Sequence, residues 1–214
     1  MEKPKLIIFA SGTKEGGGSG FESLVKSAKE GILNADITAV VSSCARGGVY
    51  EKANRLGVKF IYFPGPYTAE NYQKIFKDSG ADYAALSGWL KLVKGLDPAK
   101  TINIHPGPLP KFGGPGMYGH YVHEAVMIAY KKREVTHSAV TMHFVTEEYD
   151  EGPIFFRYQV EILPEDTTET LAKRVNEAEH KYQPIITNLV VSGQISWNGK
   201  DPKTLKVPPN YEFL

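Results

Sequence analysis

Among 214 residues there is one cysteine, Cys44. No intramolecular disulfide can form, which points to a reducing compartment. An excess of either charge is also missing: 25 Lys and Arg stand against 24 Asp and Glu, a formal net charge of +1. That balance argues against a polyanion partner such as nucleic acid, although a small anion needs only a local site. No apolar run approaches membrane-spanning length, and the opening Met1-Glu2-Lys3-Pro4-Lys5 leads into an apolar stretch too short for a signal sequence. A soluble cytoplasmic protein, with no membrane partner, is the expectation; monomer and homodimer both stay open.

Several chemical signatures are missing too. The loop Ser11–Gly20 is rich in glycine, but Gly18 stands where a Walker lysine would follow Gly12-x4-Gly17. Phe21 stands where a dinucleotide fingerprint needs glycine, and Ser42-Ser43 stand where an acidic ribose partner would be. Phe21 also breaks the nucleophile-elbow pattern at Gly18-Ser19-Gly20. Cys44 has no evident catalytic partner. His120 and His123 share a helix face, but no carboxylate or cysteine cluster completes a metal set, so they read as a polar helix face and no metal is expected.

What is present is ordinary globular composition, 42% hydrophobic and 23% charged, on a chain long enough for a sizeable core. Short apolar runs at Leu6–Ala10, Ile37–Val41, Lys59–Phe63 and Tyr83–Leu86 read as buried strands. Between them Phe21, Leu24, Val25, Ala28 and Ile32, then Tyr50–Leu56, then Tyr72, Ile75 and Phe76 recur at helical spacing. Strands alternating with helices predict a doubly wound, mostly parallel sheet with helices on both faces. A helix over His120–Lys131 follows, then two longer strands, Ser138–Val145 and Ile154–Ile162, expected to extend the sheet with antiparallel character. Asp166 and Glu169 resemble a capping box opening a long helix, with Pro184 as a bend. Residues after Trp197 read as an irregular tail.

Two features carry chemistry. A glycine loop between strand and helix lets backbone N–H groups close on an anion, so a phosphate site is expected at Ser11–Gly20. The second feature is Thr101–Met117, a short strand that breaks into a Pro/Gly-rich loop. Strand alternation puts Asn103 and His105 on one face and Ile102 and Ile104 on the other, with Pro106 ending the ladder. An amide and an imidazolium side by side can both donate to a developing oxyanion. A carboxylate nearby would favour the charged imidazole, and Asp150, ending an acidic turn, is the candidate. His143, on the strand leading into that turn, is a candidate support. Donors, a carboxylate and no nucleophile suit acyl transfer without a covalent enzyme intermediate.

Ile102-Asn103-Ile104-His105-Pro106 with Leu109-Pro110-Lys111 resembles the Asn-x-His-Pro-Ser-Leu-Leu-Pro signature of folate-dependent formyltransferases. His143-Phe144-Val145-Thr146 through Asp150-Glu151-Gly152-Pro153 is similar to their His-Phe-Val-Thr-x-x-x-Asp-x-Gly-Pro segment, and the glycine loop resembles that of the glycinamide ribonucleotide branch. The resemblance implies a Rossmann-like sheet (the formyltransferase fold) and one domain over residues 1–214: a phosphate-binding half (1–100), a catalytic and folate-binding half (101–197) and a tail (198–214). It implies transfer of the formyl group of 10-formyltetrahydrofolate to the amine of 5-phosphoribosylglycinamide, in purine synthesis. By the same resemblance Asn103, His105 and Asp150 are catalytic, with Asn103 also touching the folate. Gly18, Ser19 and Gly20 hold the acceptor phosphate, Asn176 and Glu179 its ribose, and Leu90, Lys91, Leu92 and Val93 the folate. The loop departs from the family pattern in its insertion, Lys14-Glu15-Gly16-Gly17, and in Gly20, which replaces an asparagine; Ala69 replaces an arginine, and Gly107-Pro108 replaces Ser-Leu. Alternative readings are hydrolysis of the formyl folate, formylation of another amine, and a non-catalytic phosphate-ligand binding protein.

Overall fold

The computed structural model describes residues 2–214, and its first strand already separates two layers of core. Along β1 (Lys5–Phe9), Leu6 and Ile8 enter one hydrophobic cluster while Ile7 and Phe9 enter the other. That alternation requires a sheet covered on both faces. Seven strands form it in the order β3-β2-β1-β4-β5-β6-β7, where β2 is Asp36–Ser42, β3 Phe60–Tyr62, β4 Tyr83–Ser87, β5 Thr101–His105, β6 His137–Phe144 and β7 Ile154–Glu161. The first five are parallel; β5–β6 and β6–β7 pair antiparallel.

The helices are α1 (Ser19–Lys29), α2 (Gly48–Leu56), α3 (Ala69–Ser79), α4 (His120–Lys131) and α5 (Thr168–Val191). Phe21, Leu24 and Val25 of α1 pack in one cluster with Leu171, Val175 and Ile186 of α5 and Val122 and Val126 of α4. Tyr72 of α3 packs on the other face with Phe9, Val41 and Trp89, and its hydroxyl accepts from the Trp89 indole N–H at 3.0 Å. Strand order reverses direction between β1 and β4, so their carboxyl ends flank a crevice, the usual ligand position in such sheets. The glycine loop leaves β1 there, and Ser87-Gly88-Trp89 leave β4 beside it.

Two expectations need correction. The box that opens α5 is one residue later than expected: Thr167 is the cap and Thr170 its reciprocal partner, each side chain bonding the other's backbone N–H. Asp166 instead accepts from Arg174, at 2.6 and 2.9 Å, and from the Leu163 N–H. The tail is also less irregular than its sequence. It contains a 3₁₀ turn, Pro202–Thr204, and its Tyr211 and Phe213 pack against the larger core; the Phe213 carbonyl accepts from the Arg157 N–H on the edge strand β7.

Candidate active site

The centre of the site follows from the β5–β6 register. Asn103 pairs directly with His143, and His105 with Thr141. Side chains opposite one another on antiparallel strands lie close. Asn103 Nδ2 is accordingly 3.0 Å from His143 Nε2. His143 Nδ1 donates to the Phe144 carbonyl at 2.8 Å, which fixes the ring with Nε2 turned to the Asn103 amide and to Asp150. His143 therefore orients Asn103.

The turn between β6 and β7 brings in the carboxylate. Asp150 takes a left-handed backbone conformation, φ 58°, which is uncommon outside glycine. Gly152 keeps the return tight, because a Cβ there would collide with the Phe144 carbonyl. Asp150 then sits 3.8 Å from His105 Nδ1, 3.4 Å from His143 Nε2 and 3.5 Å from Asn103 Nδ2. The structure thus brings Asn103, His105 and Asp150 together, and His143 with them.

The Pro/Gly loop closes over this group. The Gly114 N–H donates to Asp150 Oδ2 at 2.9 Å, and the Phe112 carbonyl accepts from His105 Nε2 at 2.7 Å. The Gly107 carbonyl accepts from Thr141 Oγ1 at 2.8 Å, and the Leu109 carbonyl from Arg157 at 3.1 Å. None of these loop partners was evident from the chain: three of the four bonds join segments more than thirty residues apart, and the fourth, from His105 to Phe112, depends on how the loop folds back.

Electrostatics depart from the simple expectation for His105. Burial pushes its pKa down, and this outweighs the upward pull of Asp150 and of the Phe112 carbonyl. Asp150 is held below the usual carboxylate range: burial opposes ionisation, but His143, His105 and the Gly114 N–H together favour the anion more. The site at rest holds a fixed negative charge beside an imidazole that releases its proton readily. His123 is also corrected: it is buried, at 6% exposure, on the α4 face turned to the site, and burial lowers its pKa to about 4.

Asn103, His105, His123 and Asp150 line a cavity of about 570 Å³. Gly18, Ser19 and Gly20 line the same cavity, as do Asn176 and Glu179 of α5. Gly18, the cap of α1, makes no side-chain capping bond, so the first-turn N–H groups of α1 are open to an anion. Asn176 Nδ2 donates to Glu179 Oε2 at 3.3 Å, and burial raises the Glu179 carboxyl to about 7. Of the segment Leu90–Val93, Leu90 borders this cavity, while Val93 borders a second one of about 300 Å³. Lys91 and Leu92 line neither; Lys91 Nζ lies over the Tyr67 ring. The second cavity is walled by Val93, Leu96 and Val145 and reaches Thr101, two residues before Asn103 on the same face of β5. Cys44 lies apart from both cavities, with its thiol donating to the Arg46 carbonyl.

Residues 4–187 match the family described as Formyl transferase. The chain is 33% identical over 206 residues to the chloroplastic phosphoribosylglycinamide formyltransferase of Arabidopsis thaliana, covering 91% of this chain and 68% of that protein. It is 31% identical over 192 residues to the phosphoribosylglycinamide formyltransferase of Bacillus subtilis, covering 85% of this chain and 92% of that one. Among solved structures it superposes on the phosphoribosylglycinamide formyltransferase of Anaplasma phagocytophilum with a TM-score of 0.79 at 27% identity, covering 99% of this chain and 98% of that one.

Proposed function

The chain belongs to the formyl transferase family, and we propose that within it the chain formylates the glycinamide amine of 5-phosphoribosylglycinamide, in purine biosynthesis. The observation that carries this reading is the shared cavity. It is lined both by Asn103, His105 and Asp150 and by the uncapped N-terminus of α1. A phosphorylated amine can anchor its phosphate at Gly18–Gly20, rest its ribose hydroxyls on Asn176 and Glu179, and place its amine beside Asn103.

The donor, 10-formyltetrahydrofolate, supplies a formyl group on a nitrogen that can leave. The residues present fit it: the second cavity has apolar walls from Val93, Leu96 and Val145, suited to a flat heteroaromatic ring, and it reaches Thr101, two residues before Asn103. Attack of the acceptor amine on the formyl carbon forms the new C–N bond and puts negative charge on the formyl oxygen. The Asn103 amide and the protonated Nδ1 of His105 donate to that oxygen as the charge grows. Nε2 of His105 stays bonded to the Phe112 carbonyl, so Nδ1 is the edge that serves the reaction. Asp150 balances the charge on His105 and takes part in moving one proton from the attacking amine to the departing nitrogen. No metal takes part in this scheme. The small-molecule partners, the cytoplasmic setting and a monomeric or homodimeric state belong to the same proposal; among the described residues no helix is long and apolar enough to cross a membrane.

The test is formyl transfer by the purified chain with and without 5-phosphoribosylglycinamide. Formylated glycinamide ribonucleotide and tetrahydrofolate should appear in equal amounts. Consumption of the formyl folate that does not depend on the acceptor would instead indicate a hydrolase.

A further inference from the structure

Gly20 lies in the first turn of α1, where glycine is an unfavourable helix residue. The structure shows what holds it there. A Cβ at position 20 would collide with Ser87 Oγ and come within 3.2 Å of Gln183 Oε1. Ser87, at the carboxyl end of β4, and Gln183, on α5, are both buried, Gln183 to 1% exposure. Ser87 Oγ donates to Gln183 Oε1 at 3.0 Å across 96 residues of sequence. Donation to Oε1 orients the carboxamide; its Nε2 makes no hydrogen bond among the described residues and is not among their fully buried unpartnered atoms, and Gln183 lines the large cavity. An amide donor at the cavity wall with no protein acceptor is available to a ligand oxygen.

The position of this donor indicates what it meets. Gln183 follows Glu179 by four residues on one face of α5, and both border the large cavity. Ser87 neighbours Ile104 in the β4–β5 register, one strand over from Asn103 and His105. The pair lines the same cavity as Gly18–Gly20 and as Asn103 and His105.

We propose that Gln183, oriented by Ser87, is a specificity-determining contact for the acceptor, its amide nitrogen donating to an oxygen of the acceptor's phosphoribosyl group. Gly20, Ser87 and Gln183 form one unit: the absence of a side chain at 20 lets the polar pair reach the cavity wall. The proposal rests on the acceptor reading of the preceding section.

The experiment compares wild type, Gln183→Leu, Ser87→Ala, Gly20→Ala and Ser87→Ala/Gly20→Ala in steady-state formyl transfer. A parallel calorimetric titration with ribose 5-phosphate needs no formyl donor. Gln183→Leu should raise the KM for 5-phosphoribosylglycinamide by about tenfold or more and weaken ribose 5-phosphate by a similar factor, with kcat and the folate KM held within about threefold. Gly20→Ala alone should weaken the acceptor, and adding Ser87→Ala, which removes the colliding oxygen, should recover that loss to the level of Ser87→Ala. Unchanged ribose 5-phosphate affinity in Gln183→Leu, or equal rises in both KM values, overturns the contact. Absence of rescue in the double variant overturns the coupling to Gly20. If wild type transfers no formyl group, the reading of function falls, and the ribose 5-phosphate titration still decides for or against the contact.

Discussion

His105 presents Nδ1 to Asp150 Oδ2 at 3.8 Å while its Nε2 bonds the Phe112 carbonyl at 2.7 Å. One ring edge is thus committed to the loop and the other to the cavity. A neutral ring bonded through Nε2–H would turn a lone pair toward a carboxylate, so this geometry favours the doubly protonated ring that burial disfavours. The two influences oppose each other, and this sets the imidazole to gain and lose its proton as charge appears beside it.

His105→Ala and Asn103→Ala should each lower kcat by about 10²–10³-fold, the usual loss for one oxyanion donor. Circular dichroism should remain native, because β5 is held by its backbone ladders to β4 and β6 rather than by these two side chains. Near-normal turnover by His105→Ala would remove it from the chemistry.

Asp150→Asn should move the alkaline limb of the kcat profile to lower pH. The carboxylate raises the His105 pKa; without it the imidazolium is lost at lower pH. The Asp150 pKa is depressed in the folded protein, so its contribution to stability is present above the ordinary carboxylate value and fades as pH falls through the folded one. Urea midpoints of wild type and variant should therefore differ at neutral pH and converge in acid.

Gly107→Ala should destabilise the protein and reduce kcat together. A Cβ at 107 would collide with Val122 Cγ1 of the core and approach His105 Nε2 at 3.3 Å. Overpacking of this kind costs about 1–3 kcal/mol, a fall of roughly 2–4 °C in Tm per kcal/mol for a chain of this size. An unchanged melting temperature would show that the loop relaxes freely.

Glu179→Gln should separate stability from binding. The folded carboxyl titrates at about 7, against 4.5 for the free group, so ionisation costs stability increasingly from pH 4.5 upward and fully above 7. Glu179 borders the open cavity and is only partly buried, which limits the cost to about 1–2 kcal/mol. The variant should melt higher than wild type above pH 7, match it below pH 4.5, and bind the acceptor more weakly. Equal melting at pH 8 would count against a raised pKa.

Much of this was legible because it depends on short-range periodicity. Alternation on β5 placed Asn103 and His105 on one face, and alternating apolar runs predicted the parallel sheet. The cap of α5 was misplaced by one residue because Asp166 and Glu169 match the same pattern as Thr167 and Thr170, and only the tertiary pairing of Asp166 with Arg174 separates them. His120 and His123 read as a polar face because helical spacing does not reveal what covers a helix.

The amino-acid sequence by itself determined the strand and helix order, the shared face of Asn103 and His105 and the glycine loop, since each is written in neighbours a few residues apart. The tertiary structure alone decided that Asp150 meets His105, that His143 orients Asn103, that the loop bonds both, and that Ser87 and Gln183 stand where a side chain at 20 would be. Those relations depend on strand register and on the reversal of strand order between β1 and β4, which bring together residues tens of positions apart. Burial, which sets the charge on His105 and Glu179, is likewise a property of the packed chain.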